Sequence, residues 1–268
     1  MPKIGAGYRV PLHDEIVNNL NLFDVLEVTI DTYFSVDQHS KTKMEELIGV
    51  IPLVAHGLGL SLGTDTLPEP RYLEKVYRLI EQFKFSYYSE HIAFTRVPGL
   101  EMTELLPLPK NQQTIDRLIT NIKFIQSFID VPIHLENIAY YFDYPNAQFT
   151  DGEFLNILTQ ETDTTLLLDV QNLYVNSVNN GINPTEIIND LNPGSVRALH
   201  VAGGSWAGDV LLDNHGHSVP QEVHNLVSLT LERHNPDYII LERDERFDHL
   251  HEIYDDLNNL RSSASVDA

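Results

Sequence analysis

The sequence predicts a single (β/α)₈ TIM barrel, and three observations predict it. The first is length: 268 residues, close to the roughly 250 that commonly form such a barrel as one domain. The second is alternation, because short β-rich apolar runs take turns with helix-periodic stretches along the chain, with no repeat, low-complexity tract or linker between them. The third is where the runs lead: from the third to the eighth, each ends at a histidine or a carboxylate. A barrel gathers its C-terminal strand ends on one face, whereas a doubly wound open sheet, the competing topology, would spread those side chains along a line.

In chain order the expected strands are 3–10, 25–30, 50–55, 85–89, 131–135, 165–168, 196–199 and 238–241. Amphipathic helices are expected between them, among others at 72–83, 113–128, 151–159, 184–190 and 221–233. One barrel domain over 1–261 and a frayed polar tail over 262–268 complete the organisation.

The third run leads into His56, the fourth into Glu90-His91, the fifth into Glu136-Asn137, the sixth into Asp169, the seventh into His200 and the eighth into Glu242-Arg243. A loop between the last two runs, DNHGHSVP, carries Asp213, His215 and His217. One such residue beside a strand is ordinarily a satisfied polar group or a helix cap. Six consecutive strands ending this way are not. Four carboxylates in one pocket repel one another and shift upward in pKa unless cations sit among them; divalent metals supply the cations, and neutral imidazoles complete their shells.

Asp169-x-x-Asn172 places two oxygens just past a strand, and Asp213-x-His215 offers a carboxylate and an imidazole from one side of an extended loop. With His56, His91, Glu136, His200 and Glu242 the candidate ligands number nine, too many for one ion and suited to two or three joined by bridging carboxylates. A set of oxygen and nitrogen donors without sulfur suits zinc, manganese or iron. His217, expected on the same side of the loop as His215, is the candidate catalytic side chain, either transferring a proton or supporting the ligands from behind. His134 should point into the barrel two residues below Glu136. Glu90, Asn137 and Arg243 adjoin ligands, so with His134 they are candidates for supporting the ligands or binding substrate. His224, His234, His249 and His251 fall on helices and are expected at the surface, and His13 and His39 have no evident partners. The glycines of GLGLSLG lack the dinucleotide-binding spacing and are expected to let backbone pass close to the metals.

Composition narrows the function. With no cysteine, disulfides, thiolate nucleophiles and cysteine-ligated metals are excluded. No apolar run approaches the roughly 20 residues of a membrane span and no secretory signal is evident, so a cytoplasmic protein without a membrane partner is expected. Thirty-nine acidic against 17 basic residues give a formal net charge of −22, which opposes phosphate backbones and argues against a nucleic-acid partner.

With these motifs in place, the chain resembles the multinuclear non-haem iron-dependent oxidative enzymes, which include the oxidase of methanobactin biosynthesis. GAGYR, HGLGLSLG, SEHIAF, ELLPLP, LENIAYY, DVQNLYVN, HVAGG, DNHGHSVP and LERD look like family blocks in family order. The resemblance implies a xylose-isomerase-like barrel with two or three iron ions (Fe²⁺/Fe³⁺), O₂ as co-substrate, and the nine candidate ligands in those roles. It implies an oxidoreductase of natural-product biosynthesis that modifies a residue of a ribosomally made precursor peptide, and it leaves room for a leader-binding partner protein. The chain departs from relatives at Ile30-Asp31-Thr32, where a Glu-Asn pair is frequent, at Asn180-Gly181, at Gly204 and after Asp244. These departures put substrate identity rather than metal binding in question. Two other readings use a similar barrel: a zinc-dependent phosphodiesterase resembling endonuclease IV, which has a histidine ligand where this chain has Asn172, and a sugar isomerase or epimerase, which needs fewer ligands. A metal store or scaffold gives no reason for ligands drawn from six strands.

Overall fold

Eight parallel strands close into a barrel in a computed structural model that describes residues 1–97 and 99–266. The strands of the chain are β1 Lys3–Tyr8, β2 Val25–Thr29, β3 Leu53–Gly57, β4 Tyr88–His91, β5 Phe94–Val97, β6 Leu100–Leu106, β7 Ile133–Glu136, β8 Thr165–Asp169, β9 Val196–Val201, β10 Ser205–Ala207, β11 Val210–Leu212 and β12 Tyr238–Leu241. The barrel runs β1-β2-β3-β4-β7-β8-β9-β12 and back to β1. The helices are α1 His13–Asn18, α2 Ile30–Ser35, α3 Gln38–Glu45, α4 Pro70–Phe83, α5 Gln112–Gln126, α6 Asp151–Thr162, α7 Val170–Asn180, α8 Pro184–Asp190, α9 Gln221–His234 and α10 Leu250–Val266.

Local chemistry accounts for the helices. Along α4, Leu73, Val76, Leu79, Ile80 and Phe83 recur at helical spacing and are buried, Pro70 opens the first turn, and Lys84 ends the helix in the left-handed conformation. Thr150 and Glu153 form a reciprocal capping box at the start of α6. Outward-facing strand residues and the buried helix faces make one continuous apolar layer around the barrel. Inside it, a separate apolar group of Val25, Val54, Tyr87, Leu167, Ala198 and Ile240 fills the barrel and forms a floor. Because strand side chains alternate, the inward residue two positions further along β2, β3, β4, β8, β9 and β12 is Glu27, His56, Ser89, Asp169, His200 and Glu242. The polar layer therefore rests directly on an apolar plug.

Three differences from expectation bear on the site. The third, fourth and fifth barrel strands end one or two residues later than expected, so His56, His91 and Glu136 sit in the ladders themselves. Two antiparallel hairpins, β5-β6 and β10-β11, rise from the loops at the strands' C-terminal side. Residues 262–266, expected as tail, continue α10, whose Ala264 is buried; 267 and 268 lie outside the described residues.

Candidate metal centre

All nine candidate ligands reach the same face of the barrel, and His56, His91, Glu136, Asp169, Asn172, Asp213, His215 and Glu242 line one cavity of about 840 Å³. His200, fully buried, lies beneath it. Ring by ring, the hydrogen bonds give each imidazole a proton on one nitrogen and turn the other toward the cavity carboxylates, where it can ligate once it is free of a proton. Ser89 donates its hydroxyl proton to the Ala55 carbonyl, so its oxygen accepts from His56 Nδ1 at 2.9 Å. His91 Nδ1 donates to the Gly57 carbonyl. The other nitrogens, His56 Nε2 and His91 Nε2, then stand 3.6 and 3.2 Å from Glu136 Oε2.

The same pattern recurs twice. His200 Nε2 donates to Glu27, leaving Nδ1 at 2.9 Å from Glu136 Oε1 and 3.2 Å from Glu242 Oε2. His215 Nδ1 donates to Asp244 Oδ2, leaving Nε2 at 2.8 Å from Asp213 Oδ1. A nitrogen lone pair facing a carboxylate lone pair would repel; a proton on the imidazole or a shared cation relieves the contact, and the cation turns it into co-ligation. The orphaned atoms agree: Glu136 Oε2, Asp169 Oδ2, Asn172 Oδ1, Asp213 Oδ1 and His215 Nε2 are buried without a hydrogen-bond partner. An unpartnered buried acceptor costs about 1–3 kcal/mol, so five in one place fit a metal centre. One ligand atom from each of His56, His91 and Glu136 lies within 4.8 Å of the others, as does one from each of Glu136, Asp169, His200 and Glu242. Glu136 belongs to both groups.

Local structure aims these atoms. Asp169 is the N-cap of α7: its Oδ1 accepts from Asn172 N at 2.7 Å, which leaves Oδ2 for the cavity. Asn137 bonds both the amide and the carbonyl of Asp169 and accepts from Asn172 Nδ2 through its own carbonyl. Arg9 donates to Asp244 at 2.6 Å and reaches Glu242, so it fixes the carboxylate that holds His215. Glu90 faces away from the centre, accepting from the Tyr88 hydroxyl and from Leu60 N, and so braces the loop after β3. Asp31 braces the same loop through Tyr72 and Leu58 N.

Electrostatics follow from burial among charges. Burial, then the charges of Asp213 and Glu136, raises Asp169 well above the usual carboxylate range. Burial would raise Glu242 too, but His200 and His215 overcome it and hold it low. Burial alone would lower His91, yet Glu136 and Glu90 carry it up to about 9. His200 and His215 are likewise raised against their burial by neighbouring carboxylates. His56, with burial and two imidazole neighbours, is lowered.

Several expectations are corrected. His217 is exposed and does not line the cavity, because His215 adopts a left-handed backbone (φ 50°) and the loop is not extended. His134 is inside the barrel but below the site, bonded to Thr165 Oγ1 and packed on Tyr87; burial lowers it to about 4. Arg243 is buried, pointing away to Glu252 and Asp256 of α10. His234 is buried and donates to the Ile188 carbonyl, and His13 bonds the Tyr8 hydroxyl and Glu46. The loop glycines pack against side chains around the site rather than the centre itself: a Cβ on Gly57 would strike the Tyr88 hydroxyl, and one on Gly59 would meet Asp31 and Tyr72. Glu27, Arg9, Asp31 and Asp244 were absent from the sequence-derived set. For Glu27 a signal existed, since a carboxylate on the inward face of VLEVT has no water to reach.

The chain matches the family described as RiPP precursor modification enzyme MbnB/TglH/ChrH over residues 3–265. Among curated relatives, a UPF0276 protein of Streptomyces avermitilis is 34% identical over 220 residues, 80% of this chain and 45% of the relative, so the chain spans about half that protein's length. A UPF0276 protein of Shewanella sediminis is 29% identical over 244 residues, 90% of this chain and 87% of the relative. Among solved structures, 3-keto-D-glucoside 4-epimerase from E. coli superposes with a TM-score of 0.64 at 15% identity, covering 98% of this chain and all of that one. At that identity the likeness is one of fold.

Proposed function

This chain belongs to the MbnB/TglH/ChrH family of RiPP precursor modification enzymes, and from that premise we propose that it is a multinuclear iron-dependent oxidoreductase that uses O₂ to oxidise a residue of a ribosomally made peptide. The observation that carries the proposal is the set of unpartnered donor atoms around Glu136 at the floor of the cavity. His56, His91, Glu136, Asp169, Asn172, His200, Asp213, His215 and Glu242 would hold two or three iron ions. Bound there, iron supplies redox chemistry that no side chain of this protein can perform.

The chain's own residues ligate, orient and select. The apolar floor beneath the ligands denies water an approach from below. Arg9 keeps Asp244 and Glu242 in place beside the cavity. The cavity volume falls in the range of sites that enclose a drug-sized ligand, and Tyr141, half exposed, joins its wall while its hydroxyl accepts from Asp213 N. Phe142, next to Tyr141 in the chain, and Trp206 of β10 are exposed apolar side chains that a longer peptide could meet outside the cavity. Asp31, Glu69, Glu104 and Asp244 on the wall argue against a phosphodiester substrate.

The deciding experiment is mass spectrometry of peptides encoded beside the gene, incubated with iron-loaded protein with and without O₂, any neighbouring partner protein supplied. An oxygen-dependent mass change is expected. Unchanged masses for every such peptide with confirmed iron would overturn the oxidase reading, and activity retained with zinc alone would replace it with hydrolysis.

A further inference from the structure

We propose that Glu27 is a positioning residue of the metal centre: its carboxylate holds His200 in the tautomer that presents Nδ1 to Glu136 and Glu242. The inference rests on the metal-centre reading and is independent of which substrate is oxidised. Glu27 lies in the middle of β2 and is fully buried. It reaches through the barrel interior to a histidine 173 positions later in the chain, and both its oxygens stand 3.0 Å from His200 Nε2. Among the described residues, its hydrogen bonds go to His200 alone. A carboxylate buried in a barrel is strongly unfavourable unless it is paired, and the partner Glu27 has is His200.

Two features separate a positioning role from direct ligation. Both Glu27 oxygens are engaged by the imidazole, whereas Glu136, Asp169 and Asp213 each leave an oxygen orphaned. The apolar floor, with Val25 from the same strand, lies immediately below. Glu27 therefore sits between floor and ligands. A carboxylate behind a metal-bound histidine fixes the ring and strengthens its other nitrogen as a donor. Nδ1 is the atom so strengthened, and the carboxylates it faces are Glu136 and Glu242, which makes Glu27 a support for the ion those two would share. Glu27, His56 and His200 also have ligand atoms within 4.8 Å of one another, so direct ligation is the rival the test must separate.

The test compares E27Q and E27A with the parent protein, each stripped of metal and titrated with Co²⁺, with stoichiometry at saturation, affinity and the cobalt absorption spectrum read together. The Zn²⁺-loaded parent is also examined by nitrogen-15 NMR of its histidine rings, with the His200 signal identified by its loss in H200Q. Saturating stoichiometry should be unchanged in both variants. Affinity should fall about 10- to 100-fold in E27A and less in E27Q, whose amide oxygen still accepts from Nε2–H without the charge. The His200 ring should carry its proton on Nε2. Loss of a full cobalt equivalent at saturation in E27Q would make Glu27 a ligand and overturn the proposal. So would parental affinity in folded E27Q, or a His200 proton found on Nδ1. If E27A does not fold, E27Q and the NMR measurement decide alone. Peptide oxidation enters none of these readouts, so failure of the oxidase reading would leave the result intact.

Discussion

Glu136 is the side chain on which the centre turns, because its two oxygens face different histidines: Oε2 looks toward His56 and His91, Oε1 toward His200. Removing that carboxylate leaves three imidazoles and no shared counter-charge between the two ligand groups. E136A should therefore bind less than one transition-metal equivalent under conditions that saturate the parent, and should lose activity entirely; elemental analysis after gel filtration checks the first and peptide mass spectrometry the second. His217 is the contrasting residue. Being exposed and outside the cavity, its alanine variant should keep parental metal content and turnover within about twofold, the near-neutral behaviour of surface positions away from special features. A large loss of turnover in H217A would return this histidine to a catalytic role, through a loop conformation different from the one seen here.

At the scale of elements, the ligands are held by the joints between strand and helix. The β8–α7 joint is the clearest: Asp169 caps the helix, Asn172 follows one turn later, and Asn137 from the end of β7 clamps both. N137A removes the two side-chain hydrogen bonds to the Asp169 backbone and leaves the one its own carbonyl accepts from Asn172, without touching a ligand atom. It should weaken metal affinity about 10- to 100-fold, as loss of a partner behind a ligand does, with saturating stoichiometry unchanged; a cobalt titration measures both, and parental affinity would show that the cap alone suffices. The D-x-x-N spacing made this joint legible in the sequence, because a strand end followed by a capping residue is local information. The strand ends of β3, β4 and β7 were legible as well, since His56, His91 and Glu136 interrupt apolar runs. Long-range facts were not. Whether Arg9 would meet Asp244 depends on β1 lying beside β12, which barrel closure decides and no local pattern records. His217 was misplaced because alternation presumes an extended chain, and the left-handed turn at His215 breaks it. Arg243 was misplaced because the last helix supplies Glu252 and Asp256 to draw it outward.

At the scale of the whole molecule, charge and metal act on the same balance. A formal net charge of −22 and a cavity wall rich in carboxylates leave few cations for phosphate contacts, so binding to abasic duplex DNA at physiological salt should be undetectable by fluorescence anisotropy, and strand cleavage would favour the phosphodiesterase reading instead. No described helix is long and apolar enough to cross a membrane. The cluster itself sets the molecule's response to metal and pH. Ions that bind the folded chain through ligands gathered from the ends of six strands cannot find that arrangement in the unfolded chain, so binding free energy becomes stability. At 100 times the dissociation constant one ion contributes about 2.7 kcal/mol, which for a domain of this size corresponds to roughly 5–10 °C in Tm. Chelation should lower Tm by at least that much. The increment should also depend on pH with a definite sign. In the metal-free protein His91 is raised to about 9, and His200, His215 and Asp169 are raised as well, so each holds a proton that metal must displace. Glu242 and His56 are lowered and offer no such competition. Metal affinity therefore rises with pH until those protons are gone, and the gap in Tm between metal-loaded and chelated protein should widen from pH 6 toward pH 9. Calorimetry with Zn²⁺ and with chelator at three pH values in that window measures it. A gap that is constant or narrows as pH rises would mean that the raised histidines are not the groups the metal meets.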